Sequence, residues 1–106
     1  MKVLFDQGTP APLRRLLVDH TVETAYERGW SVLENGELIT AAEAAGFEVF
    51  VTTDKNVKYQ QNLKSRALSI VVLRTTSWPR IQACLPAVVE AVNSAAPGGY
   101  VEVSIE

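Results

Sequence analysis

Histidine and cysteine each occur once in these 106 residues, and that scarcity removes several chemistries at the outset. With Cys84 alone there is no internal disulfide and no multi-cysteine zinc site. Cys84 falls on the apolar face of a predicted helix, where a buried structural thiol is expected rather than a nucleophile. His20 follows Asp19 with no nucleophile motif near it, so neither a Ser-His-Asp triad nor a histidine-rich zinc hydrolase centre is expected. The six glycines never assemble into a P-loop or a dinucleotide fingerprint. No apolar run approaches the roughly 20 residues that a membrane helix needs, and Asp6 interrupts the first apolar run before a signal-peptide core can form. Positive charge is not in excess either. Ten Lys and Arg against twelve Asp and Glu leave a net charge of −2, so no overall basic field draws in nucleic acid. The cations Arg14, Arg15, Lys55, Lys58, Lys64, Arg66 and Arg74 could form a local patch, though such scatter is ordinarily a solvated surface. These exclusions point to a soluble, cytoplasmic protein with no membrane partner.

What is present is apolar content, at 47% of residues, enough for one core in one domain spanning residues 1–106. Lys2–Phe5 reads as a first strand. Thr9-Pro10 reads as a helix start, with Thr9 at the N-cap and Pro10 at the first helical position. Leu13, Leu16 and Leu17 then form the apolar stripe. His20–Thr24 alternates weakly, as a short strand does. Asn35-Gly36 opens a helix that Gly46 stops, with Leu38, Ala41, Ala42 and Ala45 on its inner side. Glu48–Thr52 and Leu68–Leu73 are strand-like, separated by a polar segment. Ile81, Cys84, Leu85, Val88 and Val92 recur at helical spacing, with Pro86 predicting a break near Gln82–Leu85. Pro97-Gly98-Gly99 is a turn before an alternating edge strand, Tyr100–Ile105, which could run antiparallel. Strands alternating with helices predict an α/β fold, a mostly parallel sheet of about five strands with helices on both faces.

Two of these runs end in an aspartate. Val3-Leu4-Phe5 leads into Asp6, and Val49-Phe50-Val51-Thr52-Thr53 into Asp54. In open α/β sheets ligands collect outside the carboxyl ends of the strands, so the two acids suggest a shared site. Carboxylates without soft ligands suit a hard cation, Mg2+ or Mn2+. The other reading is that each aspartate caps the turn that follows it. Glu37, in the first turn of the intervening helix, is the candidate third ligand, or else a favourable charge at the helix dipole. Asn35 could reach the same crevice or serve as the N-cap. Beyond Asp54, the run Lys55, Asn56, Tyr59, Gln60, Gln61 and Asn62 could hold phosphate, ribose or base edges, or simply bind neighbouring loops. Trp30 and Trp78 sit at element boundaries, where tryptophan usually plugs the end of a core but can also stack on bases.

The frame VLFDQGTP, then NGELITAAEAAGF, then VTTDKN resembles the small PIN-like domains of bacteria. These are compact relatives of the PIN ribonucleases that include VapC-type toxins. The likeness runs from Met1 to about Ile105, and within that group it is similar to short proteins sharing DQGTP, NGEL, YQQNL, SWPRI and GGYVEV. The resemblance implies a three-layer αβα sandwich and an acidic Mg2+ or Mn2+ site. Asp6 matches the first-strand aspartate, Asp54 the aspartate of the TxD step, and Glu37 or Asn35 the acid opening the intervening helix. Two positions depart from the pattern. Gln7 stands where relatives often carry a second acid, and Asn56 where they often carry another aspartate. An amide brings an oxygen but no charge, so metal affinity should fall and a two-metal site is not expected.

Two functions follow as expectations. The first is a metal-dependent ribonuclease, and more narrowly the toxin of a toxin–antitoxin pair. Asp6, Glu37 and Asp54 would be catalytic and hold the ion, while Gln7, Asn35, Lys55, Asn56, Tyr59 and Arg74 would bind substrate. Its partners would be RNA and a protein antitoxin. The second is a non-enzymatic PIN-like module with a degraded acidic site, binding RNA or a protein, with the Tyr100–Ile105 edge available to a homodimer partner.

Overall fold

Short runs of β-branched and aromatic residues without polar alternation lie at the centre of one sheet, because only a strand covered on both faces can afford them. In the computed structural model, which describes residues 1–54 and 67–105, these strands are β1 (Lys2–Phe5), β3 (Val49–Thr52) and β4 (Ser69–Leu73). β2 (Thr21–Thr24) and β5 (Tyr100–Val103) flank them, giving the order β2-β1-β3-β4-β5 with every pairing parallel. The fold is therefore α/β.

The period of two in each strand divides the core between the two faces. On one face Val3, Phe5, Val49, Val51, Val71, Leu73 and Val103 pack against Leu13, Ile81, Val88 and Val92. On the other, Leu4, Phe50, Ile70 and Val72 pack against Leu38, Ile39 and Ala42 of α1 (Asn35–Ala44), with Phe47 beneath them. The first face is covered by a 3₁₀ helix (Ala11–Leu16), α2 (Trp78–Ala83) and α3 (Leu85–Asn93). Helical segments thus cover both faces, and no described helix is long and apolar enough to cross a membrane.

Pro86 does what its chemistry demands. The helical pattern breaks at Cys84, which ends α2 and begins α3, and the proline occupies the first turn of α3, where its missing N–H costs nothing. Cys84 is partly buried against the core at this break. Gly46 takes φ +84° just past α1, and Lys2 Nζ donates to the Ala45 carbonyl at 2.8 Å, closing the helix end.

Three expectations are corrected. The segment after Thr9 is a single 3₁₀ stretch capped by Pro10, because prolines at 10 and 12 remove donors and the Thr9 hydroxyl is engaged elsewhere. Leu16 is accordingly left exposed while Leu13 and Leu17 are buried. The N-cap of α1 is Glu34 rather than Asn35, since Glu34 and Glu37 close a reciprocal capping box. The last strand runs parallel, because the α2–α3 crossover returns the chain to the end of the sheet where β4 began.

Candidate functional site

The chain leaves β1 towards β2 on one side and adds β3, β4 and β5 on the other, so the topological switch point lies between β1 and β3. This is where open α/β sheets form their ligand crevice. Phe5 pairs with Val51, so the next residues, Asp6 and Thr52, lie side by side and point to the same face. Their contact follows from that register. The fully buried Thr52 hydroxyl donates to Asp6 Oδ2 and accepts the Asp54 N–H at 3.1 Å. Asp6 Oδ1 accepts the Thr9 N–H at 3.0 Å and the Thr9 hydroxyl at 2.6 Å. The Thr9 hydroxyl also lies 3.0 Å from the Val51 carbonyl, which shares its one proton. Asp6 therefore clamps the end of β1, the turn after it and the end of β3. Gly8 fits tightly under this turn, where a Cβ would crowd Thr53 Oγ1.

A pocket of about 160 Å³ opens beside Asp6 on the α1 side of the sheet. Gln7, Gly8 and Ser31 contribute its polar side, and Trp30, Leu33 and Leu38 its apolar side. The apolar wall is held by residues 24–30, which fold as a closed turn. Thr24 Oγ1 accepts the Glu27 N–H, Glu27 Oε1 accepts the Thr24 N–H, and Trp30 N–H donates to the Ala25 carbonyl at 2.8 Å. The Thr24-Ala25-Tyr26-Glu27 spacing is that of a capping box, a local signal for this turn that is present in the sequence. Arg14 pairs with Glu27 at 2.8 Å, and this hydrogen bond, followed by the Thr24 N–H, holds the Glu27 carboxyl below its ordinary value. Trp30 meets Phe47 edge to face at 6.1 Å and lies under the Arg28 guanidinium at 4.8 Å. It is thus both a core plug and a pocket wall.

The expected site residues are only partly brought together. Asp6 and Gln7 line the pocket. Glu37 is exposed at the start of α1 and accepts the Glu34 N–H at 3.4 Å. Asp54 lies just past β3, joined through its N–H to Thr52. Arg74 is at the far end of β4, 3.8 Å from Glu102 of β5, so it faces the outer edge of the sheet. Asn35 contributes the first backbone position of α1. Lys55, Asn56 and Tyr59 lie outside the described residues, as do Gln60, Gln61 and Asn62. Trp78 packs at the end of the first-face core.

Metal chemistry sets a demand that these positions do not meet as they stand. Among the described residues no three Asp, Glu, His or Cys side chains converge to hold an ion. A carboxylate offers about four lone-pair positions, and three of those on Asp6 are occupied by Thr9 and Thr52. The described donor set does not fit an ion held by three carboxylates. Comparison of the chain with protein families, with curated proteins and with solved structures returns no match.

Proposed function

We propose that this chain is a PIN-like domain that holds RNA in the crevice at the carboxyl ends of β1 and β3 without hydrolysing it. The observation that carries this reading is the state of Asp6. Three of its four lone-pair positions are filled by Thr9 and Thr52, so the residue expected to lead a metal site acts chiefly as a clamp. The amides at Gln7 and Asn56, where the family pattern has acids, favour the same reading. Lys55, Asn56 and Tyr59 are the proposed contacts to phosphate, ribose and base edges.

A specific observation supports a second reading, a Mg2+- or Mn2+-dependent ribonuclease acting as the toxin of a toxin–antitoxin pair. Asp6 and Asp54 follow the two strands that flank the switch point, where α/β sheets gather their ligands. In that reading they would hold the ion with Glu37, which requires Asp6 to release Thr9 or Thr52 and Glu37 to release the Glu34 N–H.

Thermal unfolding during a Mn2+ titration separates the two. A ligand of the native state present at 100 times its Kd stabilises by about 2.7 kcal/mol. The clamp reading expects no midpoint shift at millimolar Mn2+ and an RNA oligonucleotide that is retained but not cut. A shift that the Asp6→Asn/Asp54→Asn variant loses, together with Mn2+-dependent cleavage, would establish the ribonuclease instead.

A further inference from the structure

We infer that the pocket beside Asp6 receives one unpaired nucleobase and reads its exocyclic amino group; this rests on the RNA-binding reading above. Size comes first. At about 160 Å³ the pocket has room for a single ring system, since an apolar cavity of about 150 Å³ holds one benzene. A sugar and phosphate must then remain outside, along the crevice. Chemistry comes second. The lining combines the apolar Trp30, Leu33 and Leu38 with a larger polar part from Asp6, Gln7 and Ser31, so a group that enters must present a polar edge.

The polar side is rich in acceptors. Among the described residues Asp6 Oδ2 accepts only the Thr52 hydroxyl, which leaves it one lone pair, and Asp6 lines the pocket. The Gln7 side-chain carbonyl is a second acceptor from the adjacent position. An amino nitrogen carries two hydrogens and satisfies two acceptors at once, one bond being charge-assisted. Adenine, cytosine and guanine carry such a group and uracil does not. The rigid Thr24–Glu27 turn keeps the wall in place before the base arrives, so little ordering is needed on binding.

Free nucleosides test this without phosphate charge. Adenosine, cytidine and uridine are titrated separately into the isotope-labelled protein, following the Trp30 indole N–H and the Gln7 amide by NMR. Adenosine and cytidine should shift both signals saturably, with uridine at least about tenfold weaker for the loss of the two amino hydrogen bonds. Gln7→Ala should weaken cytidine towards the level of uridine, the Asp6 bond remaining, while leaving the unfolding midpoint unchanged, because Gln7 is exposed. Equal affinity for uridine, or no saturable shift with any nucleoside, overturns the proposal. If Gln7→Ala weakens nucleoside binding but leaves RNA binding untouched, RNA does not place a base in this pocket and the proposal fails, while the RNA reading stands. Nucleoside binding without any RNA binding has the opposite meaning.

Discussion

At the scale of single residues, the threonines beside Asp6 decide what that carboxylate is for. A buried hydroxyl bonded to an ionised group is worth about 1.5–3 kcal/mol, more than an ordinary neutral hydrogen bond. Thr52→Val keeps the shape of a fully buried side chain but removes the donor to Asp6 and the acceptor of the Asp54 N–H. We expect it to lower stability by about 2 kcal/mol, read as a lower urea midpoint at unchanged slope. A loss below a few tenths would mean that the clamp contributes nothing and that Asp6 is held for another purpose. Glu27 is the other residue whose partners leave a thermodynamic trace. Its carboxyl titrates below its ordinary value, chiefly through Arg14, so the unfolded chain takes up the proton first as pH falls. Its contribution is fully present above glutamate's ordinary pKa and is lost as pH falls through the depressed folded value. Glu27→Gln should therefore flatten the acid limb of the stability profile in that window, and by little, because the pair is exposed.

At the scale of elements, the ends matter more than the middles. α1 begins with a capping box and ends where Gly46 turns into the left-handed region. A side chain at φ +84° is strained, so Gly46→Ala should cost about 1 kcal/mol, seen as a fall of several degrees in the unfolding midpoint. The outer edge of β2 is blunted in the same economical way. The Thr24 N–H goes to Glu27 and its carbonyl accepts the Arg28 N–H at 3.2 Å, so neither of these groups is left to pair with another strand. On the far edge Val101 is 42% exposed, although it lies on the same face of β5 as the buried Val103. Alternation alone could not distinguish these two positions, because exposure at a sheet edge depends on how far α3 reaches.

For the whole molecule, stability rests on two half-cores separated by a sheet four or five residues deep. Phe50 is fully buried in the α1-side core, and its register partners Leu4 and Ile70 are fully buried beside it. Phe50→Ala should cost about 3–5 kcal/mol, a large share of the 5–15 kcal/mol typical of a domain. Measured by denaturant unfolding, this loss should exceed that of Thr52→Val. The reverse order would mean that the hydrogen-bonded clamp, not the core, dominates.

The sequence by itself determined the fold class and most of the elements. The three central strands declared themselves as continuous apolar runs, and Gly46 and Pro86 as a stop and a break, because these are local consequences of burial, φ freedom and missing donors. The position of Asp6 at the end of a strand was legible for the same reason. What Asp6 does was not. Whether an aspartate binds an ion, caps a turn or clamps two strands depends on which donors reach it, and Thr52 is 46 residues away. Only the β1–β3 register places that hydroxyl on the same face. The pocket is likewise a tertiary product. Trp30 joins Gln7 there because α1 and a seven-residue turn fold over the switch point, an arrangement no local pattern encodes.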